Sequence, residues 1–252
     1  MACGCIRPEP VPLIRARWMI WLRSGLFTLF FYAATLLLLM PATVIRLIRP
    51  ARSLEMAMFW ARVILRALRA ICGIRVAVMG REYLPEQGPA LIASAHQSAF
   101  DTLVWLTLVP RACYVLKKEL ERIPLFGPLL RLSGMIPIDR SAGAASIRTL
   151  LREGRRAAAE ARQIVIFPQG TRADPGAPLE LQPGVAALAA GLDLPVIPVA
   201  TNSGCHWRRR AFRKQPGLIY IRVMPPIPPD LPRRLLMQRL RAALQADPAT
   251  AP

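Results

Sequence analysis

Acidic side chains are scarce in this chain. Asp and Glu number 15 against 34 Lys and Arg, a formal net charge of +19. A surplus of that size selects anionic partners: nucleic acid, anionic lipid head groups or an acidic protein. Aromatic residues are also few, at 7%, and several fall in one N-terminal apolar segment. Nucleic-acid modules combine basic patches with stacking aromatics, so the composition argues against nucleic acid as the partner. Cysteine is sparse and irregular. Cys3, Cys5, Cys72, Cys113 and Cys205 make an odd number at scattered positions, which does not read as a disulfide framework and suits a cytosolic domain. No C-x-x-C pair and no ligand-spaced His/Cys cluster occurs, so no metal is expected; the "CGC" near the start reads as part of a disordered end. Histidine occurs only as His96 and His206, which leaves two positions for imidazole chemistry.

Apolar residues, by contrast, are abundant: 54% of the chain, with a mean hydropathy of +0.33. That points to a membrane part. Residues 1–17 are rich in Pro and Arg. From Ser24 to Ile45 the chain carries no charge, "SGLFTLFFYAATLLLLMPATVI", long enough for a tilted helix to enter or cross a bilayer. "MPATV" fits a signal-peptide cleavage site poorly. Arg15, Arg17 and Arg23 precede the stretch and Arg46, Arg49 and Arg52 follow it, so charge assigns no orientation; a helix that enters the cytosolic leaflet and returns would suit this pattern. Trp18, Trp21 and Tyr32 are interfacial anchor candidates. Residues 51–72 read as a second helix, with Arg62, Arg66 and Arg69 at helical spacing and Phe59, Ile64, Leu65, Leu68 and Ile71 on an apolar surface, as in helices that lie on membranes.

From Ile74 onward short β-rich runs alternate with helical stretches. The strand candidates are "IRVAVMG", "ALIASA", "CYVLKK", "GMIPIDR", "QIVIFP", "LPVIPVATN" and "LIYIRVMPPI". Helices are expected near 101–109, 125–132, 144–161, 184–191 and 231–246. This alternation predicts an α/β fold: a largely parallel or mixed sheet of about seven strands flanked by helices, preceded by an N-terminal membrane-docking helix pair. The expected division is an arm and membrane helices at 1–72, a domain at 73–246 and a frayed tail at 247–252.

Chemistry concentrates at strand ends. "HQSAFD" follows the apolar run "ALIAS". Side chains five apart stand about 140° from each other on a helix. His96 and Asp101 therefore meet only if His96 ends a strand and Asp101 opens the next helix. Ligands of open α/β sheets bind at that carboxyl edge, and a histidine held by a carboxylate makes a general base. Asp101 is equally suited to be a helix N-cap. In "IVIFPQGTR" a buried strand runs into a turn with Gly170, where backbone can approach a ligand closely, followed by Thr171 and Arg172, whose guanidinium matches phosphate. "GMIPIDR" delivers Arg140 to a strand end, and "YVLKKELERIPLFGP" places Lys117 and Lys118 just past another. In "NSGCHWRRR", Trp207 and the arginines read as an interfacial or acyl-carrier contact.

The ordered set "HQSAFD", "GMIPIDR", "FPQGTR" and "VIPVA" resembles the four motif blocks of the glycerolipid acyltransferase superfamily, most closely the 1-acyl-sn-glycerol-3-phosphate (lysophosphatidate) acyltransferase family; the resemblance runs over about residues 75–230. It implies that His96 takes the proton from the free hydroxyl of a lysophosphatidate while Asp101 orients it. The hydroxyl then attacks an acyl thioester and phosphatidic acid forms. No enzyme nucleophile is needed, in keeping with the lack of a serine or cysteine elbow. The resemblance further implies Gly170 at the oxyanion, Lys117, Arg140, Thr171 and Arg172 on the acceptor, and an acyl-carrier protein or coenzyme A thioester as co-substrate with no other cofactor. The setting it implies is the cytoplasmic side of a bacterial inner membrane. The family's third block is usually "FPEGTR"; here Gln169 replaces the glutamate, an amide that can hydrogen-bond a glycerol hydroxyl but carries no charge. Another lysolipid acceptor, such as lyso-ornithine lipid, and a non-catalytic basic membrane-surface protein are the competing expectations.

Overall fold

The computed structural model describes residues 15–250. The "CGC" segment and most of the Pro- and Arg-rich arm therefore lie outside the described residues. The chain enters on a helix of 34 residues, α1, Arg15–Ile48. Thr28, Thr35 and Thr43 each donate their hydroxyl to the carbonyl four residues back, which satisfies the hydroxyl within the helix. One stripe of α1 faces protein: Ser24, Phe27, Ala34 and Ala42 are buried, at helical spacing. The rest is apolar and open, including Trp18, Trp21, Leu22, Leu29, Leu36, Leu37 and Met40. By length and composition α1 can cross a membrane, and an exposed apolar surface of this extent marks membrane association.

A 3₁₀ turn, Pro50–Arg52, leads into α2, Ser53–Cys72. The last turn of α2 closes on Gly73, which adopts the left-handed conformation and donates its N–H to Arg69 O. Ala61, Ile64, Ala67 and Leu68 face inward, while Arg62, Arg66 and Arg69 are exposed. Of the N-terminal pair, α1 thus presents the apolar surface and α2 presents cations. The packing runs across residue 72: Phe27, Ala34, Ile64 and Leu68 share one core with sheet residues such as Ile92 and Ile219.

Seven strands form one sheet: β1 Ile74–Met79, β2 Ala90–Ser94, β3 Ala112–Lys117, β4 Ile136–Ile138, β5 Gln163–Ile166, β6 Val196–Thr201 and β7 Gly217–Val223. Their order is β1-β7-β6-β2-β5-β3-β4. Only the β6–β7 pair is antiparallel. The sheet is thus mixed and mostly parallel, with β2 central. Alternation along β2 explains why it reads as an unbroken apolar run. Ala90 and Ile92 face the core made with α1, α2 and α3 (Phe100–Leu108), while Leu91 and Ala93 face α5 (Ala144–Ala159), α6 (Gly184–Leu192) and α8 (Arg233–Gln245).

Two details differ from expectation. Strand β4 stops at Ile138, and Arg140 opens a 3₁₀ turn capped by Asp139, which accepts from Ser141 N and Oγ. Residues 247–250 are held, not frayed, because Arg222 Nη1 donates to Asp247 O and Thr250 Oγ1. Cys72 and Cys113 are free and buried.

Between β3 and β4 lies α4, Phe126–Leu132, pressed against the 3₁₀ turn Lys118–Arg122. A Cβ on Gly127 would run into the backbone of Glu121. In α5, a Cβ on Gly154 would press on the Leu188 side-chain tip, which can swing aside, and touch the tip of Leu192. Replacing a helical glycine by alanine favours the helix by about 1 kcal/mol, yet backbone cannot yield as a methyl tip can. Gly127→Ala is expected to lose roughly 1–3 kcal/mol, and Gly154→Ala to lose clearly less, in urea unfolding of the detergent-solubilised protein.

Candidate active site

The central strand delivers His96 two residues beyond its end. The following loop would leave several N–H groups without partners, and one carboxylate oxygen collects them. Asp101 Oδ2 accepts from Gln97 N at 2.7 Å and Ser98 N at 2.8 Å, and lies 3.2 Å from His96 Nδ1. Ser98 Oγ accepts from Phe100 N. Asp101 is not the N-cap of α3, a position held by Ala99 without a side-chain cap; it sits inside the first turn and folds back over the loop. His96 and Asp101 are both buried, with 9% and 2% of their surface exposed, so the pair is shielded from competing water. With Nδ1–H donated to Asp101, Nε2 keeps its lone pair for a proton. The His96 ring lies on Phe167 at 4.1 Å between centroids and 19° between planes, and Tyr114 extends the stack.

The loop after β5 grips His96 from the other side. Gln169 Oε1 accepts from His96 N at 2.6 Å, and Ala173 N donates to His96 O at 2.9 Å. Both backbone polar groups of His96 are thereby fixed. Two assignments read from the sequence need correcting. Gly170, in the left-handed region at φ +70°, donates its N–H to Phe167 O at 3.0 Å; that bond closes the turn and removes Gly170 as an oxyanion donor. The N–H groups of Thr171 and Arg172, next along the chain, have no acceptor among the described residues. Gln169 turns its carbonyl oxygen to the His96 N–H and is not part of the cavity wall, so its place is behind His96 and not against a glycerol hydroxyl.

A cavity of about 630 Å³ opens at this point. Its polar end is lined by His96, Gly170, Thr171, Arg172, Arg140 and Lys117, together with Arg209 and Arg210. No described lining residue is acidic. Neither Arg140 nor Arg172 has a carboxylate partner among the described residues. Partial burial pushes the pKa of both below the usual guanidinium range, with Glu119 opposing the shift at Arg140 and Asp101 opposing it at Arg172; guanidinium groups nevertheless stay charged. The other end of the cavity is apolar, walled by Leu38, Leu39 and Ala42 of α1, Met56 and Trp60 of α2, and Leu129 and Leu130 of α4. The site therefore joins a cationic end to an apolar slot between α1, α2 and α4. Arg209 and Arg210 were legible only as part of a basic run, and the place of Phe167 under the imidazole had no signal beyond its position at a strand end. Among the described residues no cluster of His, Cys, Asp and Glu is suited to a metal ion.

Residues 75–202 match the family model described as Acyltransferase. The chain belongs to the acyltransferase family. It is 36% identical over 166 residues to a 1-acyl-sn-glycerol-3-phosphate acyltransferase from Pseudomonas aeruginosa, covering 66% of this chain and 64% of that protein. A protein of the same name from Limnanthes douglasii is 33% identical over 162 residues, covering 64% of this chain and 57% of that one. The aligned part thus spans under two thirds of the relatives it matches. A crystal structure of the 1-acyl-sn-glycerophosphate acyltransferase of Thermotoga maritima shares the fold, with a TM-score of 0.70 at 19% identity, covering 92% of this chain and 98% of that one.

Two variants probe this acyltransferase geometry. In Asp101→Asn an amide oxygen can take the place of Oδ2 and keep the loop, but the charge behind His96 is gone. The protein is expected to stay folded and to lose roughly 10²–10⁴ in turnover, read by circular dichroism beside a rate assay. Gln169→Leu strips the acceptor from the His96 N–H and is expected to cost about 1–3 kcal/mol in stability. Gln169→Glu keeps that acceptor and should retain most of the stability, which the same denaturation series measures.

Proposed function

We propose that the protein transfers a fatty acyl group from an acyl thioester to the free hydroxyl of 1-acylglycerol-3-phosphate, producing phosphatidic acid. The observation that carries this reading is the union of a buried His–Asp pair, a cation-only pocket end and an apolar slot in one cavity. His96 Nε2 takes the hydroxyl proton as the oxygen attacks the thioester carbonyl. Asp101 stabilises the imidazolium that forms, and the proton passes to the leaving thiolate as the tetrahedral intermediate collapses. The open N–H groups of Thr171 and Arg172 replace Gly170 as the oxyanion donors. Arg172, Arg140 and Lys117, joined by Arg209 and Arg210, bind the acceptor's phosphate. Alkyl chain occupies the slot between α1, α2 and α4. The thioester carrier is acyl-carrier protein or coenzyme A.

The head group of lyso-ornithine lipid is a zwitterion, an ammonium beside a carboxylate, and five lining cations with no acidic lining residue among those described favour a dianionic phosphate over it. A non-catalytic membrane protein would have no use for the buried His–Asp pair. The exposed apolar face of α1 and the exposed arginines of α2 support a membrane-surface setting for the catalytic domain, which we assign to the cytoplasmic side of a bacterial inner membrane.

The test is purified protein in nanodiscs, offered a panel of lysolipids with labelled acyl-coenzyme A and acyl-carrier protein. Lysophosphatidate should be acylated at least about tenfold faster than lyso-ornithine lipid or lysophosphatidylcholine, and His96→Ala should remove roughly 10²–10⁴ of that rate. Equal rates on lysophosphatidate and on those two zwitterionic acceptors, or full turnover by a folded His96→Ala protein, would refute the assignment.

A further inference from the structure

Lys214 is a buried cation that the mechanism does not use. It is 6% exposed and has no carboxylate partner among the described residues. Its Nζ donates to Thr28 Oγ1 at 3.0 Å and Phe212 O at 2.8 Å. Three rings surround it: Phe27 and Trp207 at 5.6 Å and Phe212 at 5.3 Å from ammonium to centroid. Burial lowers its pKa from the ordinary lysine value. A buried ammonium without a counter-ion is costly, and ring faces offset part of that cost. Such a group persists when it holds something together.

What it holds is α1. Thr28 and Phe27 belong to that helix, and Lys214 N donates to Ser24 Oγ, also on α1. Around this clip, Trp207 meets Phe27 edge-on at 5.4 Å, and Phe212 stacks on Trp21 at 5.4 Å. The other side of the same short segment reaches the active site. Arg208 pairs with Asp174 at 2.9 Å, and Arg209 Nη1 donates to Arg172 O at 3.0 Å. Between them and the clip lies Arg210, a cavity-lining residue in the left-handed region at φ +56°. A non-glycine residue keeps that conformation where its surroundings over-determine it. Here the Arg208 and Arg209 contacts fix one flank of the turn, and the Lys214 cage fixes the other.

We propose that Lys214 is a positioning residue that clips the membrane helix α1 to the 207–214 segment, so that α1 sets the placement of Arg209 and Arg210 at the head-group end of the site. The inference rests on the acyl-acceptor reading above and deepens it: α1 serves the phosphate grip as well as the membrane. Neither Lys214 nor Thr28 lines the cavity, so any effect of changing them on acceptor binding must pass through the clip.

The experiment uses the full chain in nanodiscs, with 1-oleoyl lysophosphatidate and the thioester donor that the wild type accepts. Lys214→Met removes the charge and the donors while keeping bulk; Thr28→Val removes only the hydroxyl on α1 that accepts from Nζ. For both, KM for lysophosphatidate is expected to rise, roughly tenfold for Lys214→Met and less for Thr28→Val. Donor KM and kcat should stay within about twofold, and co-sedimentation with vesicles should be unchanged. Lys214→Arg, which keeps a cation in the cage, should recover part of the loss. An unaltered acceptor KM in both variants overturns the clip, as does a parallel fall in kcat and in affinity for both substrates. If Lys214→Met does not fold, Thr28→Val decides alone by the same criterion. Absence of lysophosphatidate acylation in the wild type would instead refute the acceptor assignment, so the two failures read differently.

Discussion

One oxygen atom organises this protein's chemistry. Asp101 Oδ2 receives two backbone N–H groups and faces the imidazole of His96, in a spot where almost no water reaches it. A carboxylate in such a place needs strong partners, and charge-assisted hydrogen bonds are the ones able to offset its desolvation. The arrangement then works in both directions. The loop between β2 and α3 supplies donors that keep Asp101 buried, and buried Asp101 keeps the loop in the shape that presents His96. Loop conformation and the proposed general-base chemistry are thus parts of one interaction. A substitution at Asp101 therefore acts on backbone order and on imidazolium support together, and the asparagine variant is informative because it leaves the first nearly intact.

The second constraint is topological. Strand β2 lies between β5 and β6, so the loops after these three strands converge at one edge, as the carboxyl ends of parallel strands do. That convergence lets the 167–173 turn hold both backbone groups of His96 and lets Gln97 Oε1 accept from Gly204 N. The same turn, closed by Gly170, leaves the next two N–H groups unpaired and directs Arg172 to the cavity. Cations come to this end from several separate loops, and the apolar walls come from α1, α2 and α4. The molecule's surplus of positive charge thus has a local meaning: five of its cations line the cavity, and no described lining residue is acidic.

Legibility in the sequence followed sequence separation. The His96–Asp101 pair spans five residues, and the apolar run before it and the helix after it leave one way for the two side chains to meet. Strand and helix positions were legible for the same reason, since periodicity is local. Contacts between strand ends were not. Gln169 meets His96 across 73 residues, Arg209 meets Arg172 across 37, and Lys214 meets Thr28 across 186; each depends on strand order or on where α1 folds back, which no local pattern encodes. Gly170 shows a finer limit. The sequence announces a glycine turn, but which N–H the turn consumes depends on the hydrogen bond that closes it. The basic face of α2 was legible as amphipathic, yet a membrane surface and a protein core ask for the same apolar stripe.

Gln169 carries the remaining step. The acyltransferase resemblance places a glutamate at this position, and the structure shows what the side chain is for: an acceptor to the His96 N–H. Amide and carboxylate oxygens can both fill that role, so the glutamine keeps the geometric function. They differ in charge. A glutamate here would set a second carboxylate beside a site that holds one, Asp101, and would draw Arg172 and its neighbours toward itself. With glutamine, Asp101 is the one carboxylate in contact with His96 among the described residues, and the cations of the cavity face whatever enters it. The departure from the family pattern therefore bears on the strength of the anion site and leaves the placement of the base alone. Under the proposed function, this arrangement favours a stronger grip on the acceptor's phosphate over an inactivated homologue.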